Sequence, residues 1–305
     1  GEAGEGKTRA LRHLANLLGS PVRTLWLAGH ESEQDVPYAP LRALVSAWLD
    51  RAAGAAVVPR LGQHAGTLAQ LVPAIRDVWP AAPRLEDRVD DAVIAEAFTR
   101  ALLLMRGAGR ALVVLDDLHW MDDATVRWLP YALRREASGL LIVLTRRPSE
   151  SGPASLGPVL ADLQRRGAVT VPFSPLSRED LELLAAPLAE PGTDARAFAS
   201  RLHDATAGNA LFAVETLREL WQRGPLPIDL RDVPIAPTLR DALAARVGRL
   251  SAASRDALAA MAVLDAPASA GVIAATASLS ADATLAALET LLRAQLARPS
   301  EDGQR

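Results

Sequence analysis

Short runs of consecutive apolar residues alternate along the first half of the chain with segments in which apolar residues recur every three or four positions. The apolar runs lie within residues 21–29, 111–117, 140–145 and 169–173. Runs of this length are typical of strands that are covered on both faces, and the helical spacing between them favours crossover helices. This half of the chain therefore predicts an α/β fold, a parallel sheet with helices on both faces.

The helices of this half are predicted from their apolar faces and their breaks. One helix follows the first eight residues and ends at Gly19, a second lies over residues 41–49, and a third is predicted over residues 86–105. Four prolines interrupt residues 52–84, which we interpret as an insertion of short helices or loops.

The character of the chain changes near residue 175, after which no strand is predicted. Ser177 and Asp180 have the spacing of a capping box that opens a run of helices. A linker is expected over residues 224–237, followed by a helix capped by Thr238 and Asp241. Two more helices are expected around residues 258–261 and 285–292.

The first eight residues, GEAGEGKT, match the phosphate-binding pattern G-x-x-x-x-G-K-[ST] through Gly1, Gly6, Lys7 and Thr8. Backbone N–H groups of such a loop surround phosphates, the lysine reaches the outer phosphates, and the hydroxyl ligates Mg²⁺. Lys7 is the only lysine in the chain. A compact ammonium fits this loop where a broad guanidinium does not. A chance match in a glycine-bearing turn is the alternative.

The apolar run at residues 111–117 ends in two carboxylates, Asp116 and Asp117. Ligands bind at the carboxyl ends of strands in open α/β folds. Asp116 is thus predicted to hold Mg²⁺ through water, and Asp117 to act as the general base or to orient the attacking water. An ordinary strand followed by an Asp-rich turn is the alternative.

The run at residues 140–145 is followed by Arg146 and Arg147. An arginine beside the acidic strand end can reach a γ-phosphate or the hydrolytic water. A solvated pair at a strand end is the alternative. Asp122 and Asp123 are interpreted as helix caps, and His119 lacks a second ligand at metal-binding spacing.

The net charge, the cysteine content and the length of the apolar runs limit the class of protein. The net charge of -3 does not favour nucleic-acid binding by this segment. Cysteine is absent, which excludes disulfides and cysteine-ligated zinc. No apolar run approaches the ~18 residues of a membrane span, so a cytoplasmic location without membrane contact is expected. The chain starts inside the phosphate loop, so we expect the strand that leads into the loop to be missing.

With these motifs placed, the chain resembles the ATPase module of STAND-type AAA NTPases, especially that of large LuxR-family bacterial transcriptional regulators. The resemblance rests on the following segments: GEAGEGKT at 1–8, DVPYAPL at 35–41, LVVLDDLHWMDD at 112–123, LIVLTRRP at 141–148, FSPLSRED at 173–180, and AGNALF at 207–212.

The resemblance implies a P-loop core over residues 1–175, a helical lid over 176–236, and an incomplete winged-helix-like domain over 237–305. It also implies ATP and Mg²⁺ as cofactors and assigns site residues. The residues that match the nucleotide-binding positions are Gly1, Gly4, Gly6, Lys7, Thr8, Asp116, Gly208 and Asn209. The residues that match the metal positions are Thr8 and Asp116. The residues that match the catalytic positions are Asp117 and Arg147, with Arg146 as a substitute. Ala210 stands where relatives carry proline.

The expected function is an ATP-binding, slowly hydrolysing regulatory switch in a signal-transducing transcriptional regulator. The expected partners are ATP, C-terminal repeat and DNA-binding regions that this chain lacks, and further copies of the chain. A non-hydrolysing ATP-binding scaffold and the ATPase module of an adenylate-cyclase-linked regulator are the alternatives. A small-molecule kinase shares the loop, but no second substrate pocket is evident in the sequence.

Overall fold

The computed structural model describes residues 1–51, 56–85, 89–135, 139–188, 194–223, 244, 247–248, 250–264, 268–294 and 296–297. The chain divides into two compact units. The first unit contains Gly1 and residues 6–173, and the second contains residues 2–5 and 174–305. The phosphate loop is thus divided between them along the sequence.

The first unit is built from three strands and the helices that connect them. The strands are β1 (Val22–Ala28), β2 (Arg110–Asp116) and β3 (Leu140–Leu144). The helices are α1 (Lys7–Leu18), α2 (Ala39–Leu49), α3 (His64–Leu71), α4 (Ala74–Val78), α5 (Asp91–Arg106), α6 (Asp123–Arg135) and α7 (Leu156–Arg165). Short 3₁₀ turns lie at Glu31–Glu33, Val58–Leu61 and Leu118–Trp120.

The strands form a parallel sheet in the order β1-β2-β3, with β2 in the centre. Alternate residues of β2 point to opposite faces. Val113 and Leu115 join the large core formed with α2, α3 and α5, whereas Leu112 and Val114 pack with Leu11 of α1. Both faces are therefore covered by helices, as the uniformly apolar strand predicts. This arrangement is consistent with an α/β P-loop fold.

Three elements of the first unit differ from the sequence prediction. Helix α7 (Leu156–Arg165) lies where no helix was predicted. Helix α5 begins at Asp91 after an extended Asp90, because consecutive carboxylates favour the start of a helix, where the dipole is positive. Residues 169–173 form no strand, and Val169 and Val171 are 87% and 69% exposed. Their alternation fits a pleated surface, but a strand also needs a neighbour for its backbone hydrogen bonds.

The second unit is helical where the structure describes it. Its helices are α8 (Arg178–Ala185), α9 (Ala195–Thr206), α10 (Ala210–Arg223), α11 (Ala252–Leu264), α12 (Ala270–Ala277) and α13 (Ala281–Arg293), with a 3₁₀ turn at Ala186–Leu188. The capping box of Ser177 and Asp180 opens α8 as predicted. Helix α12 was not predicted, because its alanine-rich sequence has little amphipathic contrast.

Two separate apolar clusters stabilise these helices. One joins α8, α9 and α10 around Phe198 and Leu202, and the other joins α11, α12 and α13 around Ile273 and Leu291. The predicted linker over residues 224–237 and the caps Thr238 and Asp241 lie outside the described residues. The division into lid and winged-helix-like domain stays a prediction.

Within the described residues, no single helix has the length and apolar character needed to cross a membrane. Helices α12 and α13 meet that criterion only as a pair, and they are bent by 107° relative to each other.

Candidate nucleotide-binding site

The phosphate-loop residues adopt conformations that require glycine. Gly4 and Gly6 have φ angles of 82° and 88°, a region that side chains with a Cβ rarely adopt. Gly6 precedes α1, so Lys7 and Thr8 are the first two residues of that helix. The N–H groups of this helix start and the helix dipole favour an anion. Lys7 is 8% exposed.

Asp116 is fixed at the carboxyl end of β2 by two hydroxyl groups. Thr8 Oγ1 donates to its Oδ2 at 2.8 Å, and Thr145 Oγ1 donates to its Oδ1 at 2.6 Å. The carboxylate is 5% exposed. Because β2 lies between β1 and β3, its carboxyl end receives side chains from both the loop helix and the end of β3. One buried carboxylate thus links three segments that are distant in sequence.

The chemistry of Thr8 and Asp116 fits a Mg²⁺ ion. The Thr8 hydroxyl oxygen can ligate the ion, and its 2.8 Å hydrogen bond to Asp116 Oδ2 places the carboxylate beside that position. These two oxygens are hard donors of the kind that Mg²⁺ prefers, and phosphate and water oxygens usually complete its coordination. The residues present therefore fit the metal that the sequence implies.

Asp117 differs from Asp116 because the backbone turns between them. Asp117 has φ 54° and ψ 55°, and its N–H donates to Thr145 Oγ1 at 2.9 Å. Its side chain is 32% exposed. Burial and the adjacent Asp116 charge raise the pKa of the Asp117 carboxyl, whereas the cations of Arg147 and Lys7 oppose that change. A raised pKa makes this carboxylate a better proton acceptor than an ordinary aspartate.

Thr145 was not singled out in the sequence, yet its hydroxyl serves both carboxylates at once. It donates to Asp116 and accepts the N–H of Asp117, while its backbone C=O accepts the N–H of Leu118 at 2.8 Å. A hydroxyl residue at the end of the apolar run beside the acidic strand is the signal that indicates it. In parallel register, Leu144 faces Leu115, so the next residue falls beside Asp116.

Of the two arginines after β3, Arg147 turns toward the acidic end of β2. Its side chain is 19% exposed, and its Nη1 pairs with Glu150 Oε1 at 2.5 Å. Its charge opposes the rise in the pKa of the Asp117 carboxyl. Arg146 is exposed. Glu150, which the sequence analysis did not consider, is therefore the partner of Arg147 in this structure.

His119 is a buried residue that lies close to Arg147, Asp117 and Glu150. Its side chain is 1% exposed, and its Nδ1 accepts the backbone N–H of Arg147 at 3.4 Å. Its Nε2 lies 3.9 Å from Asp117 Oδ1 and 3.7 Å from Glu150 Oε2, and it has no hydrogen-bond partner among the described residues. Burial, reinforced by nearby cations, lowers the pKa of His119 to about 3. The imidazole is therefore neutral at physiological pH.

The two predicted carboxylate caps at the start of α6 have separate roles. Asp122 is 2% exposed, and its carboxylate accepts N–H bonds from Tyr38 at 2.8 Å and Thr125 at 2.9 Å. Asp123 accepts the N–H of Ser155 at 2.9 Å. Asp122 therefore caps α6 and also ties it to the start of α2, whereas Asp123 ties it to the segment before α7.

Asn209 and Gly208 belong to the second unit, which also contains residues 2–5 of the loop. Asn209 Nδ2 donates to the C=O of Ala3 at 2.9 Å, and the N–H of Leu211 donates to the C=O of Gly4 at 2.9 Å. Asn209 is 5% exposed. Its Oδ1 accepts the N–H groups that start α10. These contacts hold the backbone of the loop; contact of Asn209 with a nucleotide stays a prediction.

Gly208 is required by its own conformation. Its φ is 70°, its C=O accepts the N–H of Leu176 at 2.7 Å, and a Cβ at this position would press on the backbone of Leu176. The glycine thus allows α9 to end directly before Asn209.

Residues 1–144 match the family model of the AAA ATPase domain. The search of curated proteins finds no match. An AAA ATPase domain implies nucleotide binding, and the matched residues include the loop, Asp116 and Asp117. The match and the site geometry support a P-loop NTPase module of the AAA type in residues 1–144.

Proposed function

We propose that this chain is an ATP-binding module that hydrolyses ATP slowly and acts as a regulatory switch, of the STAND type that its motifs resemble. The observation that carries the proposal is the hydrogen-bonded series from Thr8 through Asp116 to Thr145. It joins a phosphate loop, an acidic strand end and the neighbouring strand end, the three parts that phosphoryl transfer to water requires.

The residues divide between binding and chemistry. Gly4 and Gly6 allow the loop to pass close to phosphate oxygens, and Lys7 neutralises their charge. Thr8 and Asp116 would hold Mg²⁺, which would withdraw charge from the phosphate groups. Arg147 compensates the charge that develops on the transferred group.

Asp117 accepts a proton or a hydrogen bond from the attacking water. The water oxygen forms a bond to the γ-phosphorus, and the bond from that phosphorus to the bridging oxygen of ADP breaks. The water proton leaves through Asp117 to solvent, and the products are ADP and inorganic phosphate. The raised pKa of Asp117 supports this role.

The switch follows from the difference between ATP and ADP. A γ-phosphate that pairs with Arg147 favours one arrangement of the core and the helical regions that follow it, and its loss removes that preference. In a regulator of the large LuxR type, C-terminal repeat and DNA-binding regions, or another copy of the chain, would respond to the arrangement.

Calorimetric titration with Mg·ATP and a phosphate-release assay test the proposal. Lys7→Ala is expected to weaken Mg·ATP binding by about 10- to 100-fold, the worth of one charged hydrogen bond. Arg9→Ala removes an exposed cation two residues away and is expected to leave binding unchanged. Wild-type protein that does not bind Mg·ATP, or equal binding by the Lys7 variant, contradicts the proposal.

A non-hydrolysing ATP-binding scaffold is the second candidate. It is favoured by the pairing of Arg147 with Glu150, which occupies the arginine that hydrolysis needs. Asp117→Asn separates the two candidates. Phosphate release that Asp117→Asn abolishes while Mg·ATP binding persists supports the switch, whereas binding without any release in the wild type supports the scaffold.

A further inference from the structure

The buried imidazole of His119 has one nitrogen satisfied and one unsatisfied. Nδ1 accepts the Arg147 N–H at 3.4 Å, so a neutral ring carries its proton on Nε2. In the part of the chain that the structure describes, Nε2 has no hydrogen-bond partner, although the side chain is 1% exposed. A buried donor without an acceptor is costly, which indicates that this N–H gains an acceptor in another state of the site.

The Asp117 carboxylate has the complementary deficiency. It accepts no hydrogen bond from the described residues, in contrast to the doubly bonded Asp116. Its Oδ1 lies 3.9 Å from the Nε2 of His119. An ordinary N–H···O bond is 2.7–3.2 Å long, so a movement of about 1 Å would satisfy both groups. The partial exposure of Asp117 leaves it room for that movement.

Glu150 is the competing acceptor. Its Oε2 lies 3.7 Å from Nε2, slightly closer than Asp117. However, its Oε1 already pairs with the Arg147 guanidinium, which compensates its charge. No side chain or N–H group of the described residues donates to the Asp117 carboxylate, and Asp117 is the group whose orientation matters for hydrolysis. Asp117 is therefore favoured over Glu150 as the acceptor for the Nε2–H of His119.

We propose that His119 is a positioning residue, whose Nε2–H donates to the Asp117 carboxylate and orients it when Mg·ATP occupies the site. This inference rests on the proposed function. Hydrogen bonds of catalytic groups often shorten only in the substrate complex. Nδ1 of the same ring accepts the backbone N–H of Arg147. His119 would therefore contact both Asp117, the proposed base, and the backbone of Arg147.

Two substitutions distinguish the role of Nε2–H as a donor from the role of Nδ1 as an acceptor. His119→Gln places an amide N–H at the distance of Nε2, whereas the shorter His119→Asn side chain reaches only as far as Nδ1 and has no donor at the Nε2 position. We expect Mg·ATP affinity to change by less than about twofold in both variants, since neither removes a phosphate contact. Turnover is expected to fall about tenfold in His119→Asn, the worth of one hydrogen bond, and about threefold or less in His119→Gln. His13→Gln, on an exposed position of α1, is the matched control.

A second measurement does not depend on turnover. In ¹⁵N-histidine-labelled protein, the Nε2 proton of His119 is expected to shift downfield when a non-hydrolysable ATP analogue and Mg²⁺ are added. The shift is expected to disappear in Asp117→Ala and to persist in Glu150→Ala. The signal is assigned by its absence in His119→Gln, among the five histidines of the chain.

The outcomes distinguish the two proposals. Wild-type protein that binds no Mg·ATP refutes the proposed function and this inference with it. Binding and hydrolysis by the wild type, with equal turnover in His119→Gln and His119→Asn, refute the inference alone. A downfield shift that is lost in Glu150→Ala but kept in Asp117→Ala also refutes it, and assigns the donor to Glu150.

Discussion

Acid should destabilise the first unit through His119, and replacement of this histidine should remove that effect. His119 is buried and its pKa is lowered from 6.5 to about 3. Protonation therefore favours the unfolded chain, where the imidazole is exposed to water. The stability due to the neutral ring is fully present above pH 6.5 and is lost progressively as the pH falls toward the lowered pKa.

The magnitude follows from the two pKa values. Between pH 7 and pH 5 the unfolded imidazole becomes protonated while the folded one stays neutral, so the free energy of unfolding falls by about 2 kcal/mol. This figure requires only that the folded pKa be well below 5. Asp117 and Glu150 would favour the imidazolium, but each is about one third exposed, so water screens their charges.

The assay is urea unfolding monitored by tryptophan fluorescence at pH 7 and pH 5. Five of the six tryptophans lie in the first unit, and Trp221→Phe removes the remaining one. In this background His119→Gln is expected to lose about 2 kcal/mol less than the parent between the two pH values. His13→Gln, on the exposed side of α1, is expected to behave as the parent.

Each variant is compared with itself at two pH values, so a difference in absolute stability does not affect the result. Equal loss of stability in the parent and in His119→Gln would show that the ring is not the buried, neutral group described above. It would also remove the reason for placing the proton on Nε2.

Three further predictions concern hydrogen bonds of single side chains. Thr145→Val keeps the shape of the residue but removes the hydroxyl between the two carboxylates. It is expected to cost about 1–3 kcal/mol of stability in urea unfolding and to lower phosphate release. Unchanged stability and unchanged phosphate release would contradict the role of the hydroxyl. Asp122→Ala leaves two buried N–H donors without an acceptor and is expected to cost about 3 kcal/mol in the same assay, in which a loss below about 1 kcal/mol would be inconsistent with these bonds. Ser177→Ala removes the capping box of α8 and is expected to cost about 1 kcal/mol, measured by thermal unfolding against Ser177→Thr, which should retain the cap.

Much of the first unit could be predicted from the sequence because its signals are local. The φ > 0 positions of the loop need glycine, Gly19 ends α1 with φ 64°, and the apolar run before Asp116 marks a strand that is buried on both faces. These features depend on local backbone conformation and on the spacing of apolar residues, and a single sequence shows both.

What could not be predicted depends on contacts between distant segments. The alternation at Val169 and Val171 indicates a strand, but no local signal says whether a neighbouring strand is available to pair with it. Similarly, the bonds of Thr145 to Asp116 and Asp117 depend on the register of β3 against β2. The pairing of Arg147 with Glu150 spans only three residues, yet many surface pairs have that spacing and only burial distinguishes this one.

The two consecutive carboxylates at the end of β2 have different surroundings because the backbone changes conformation between them. Asp116 is the last residue in strand geometry, and both of its oxygens accept hydroxyl hydrogen bonds. Asp117 is in a left-handed conformation, which turns its side chain away from those hydroxyls. A carboxylate held by two donors keeps its orientation, which suits a group that holds Mg²⁺. A carboxylate with a raised pKa and room to move suits proton transfer. One left-handed residue thus gives two adjacent aspartates different chemistry.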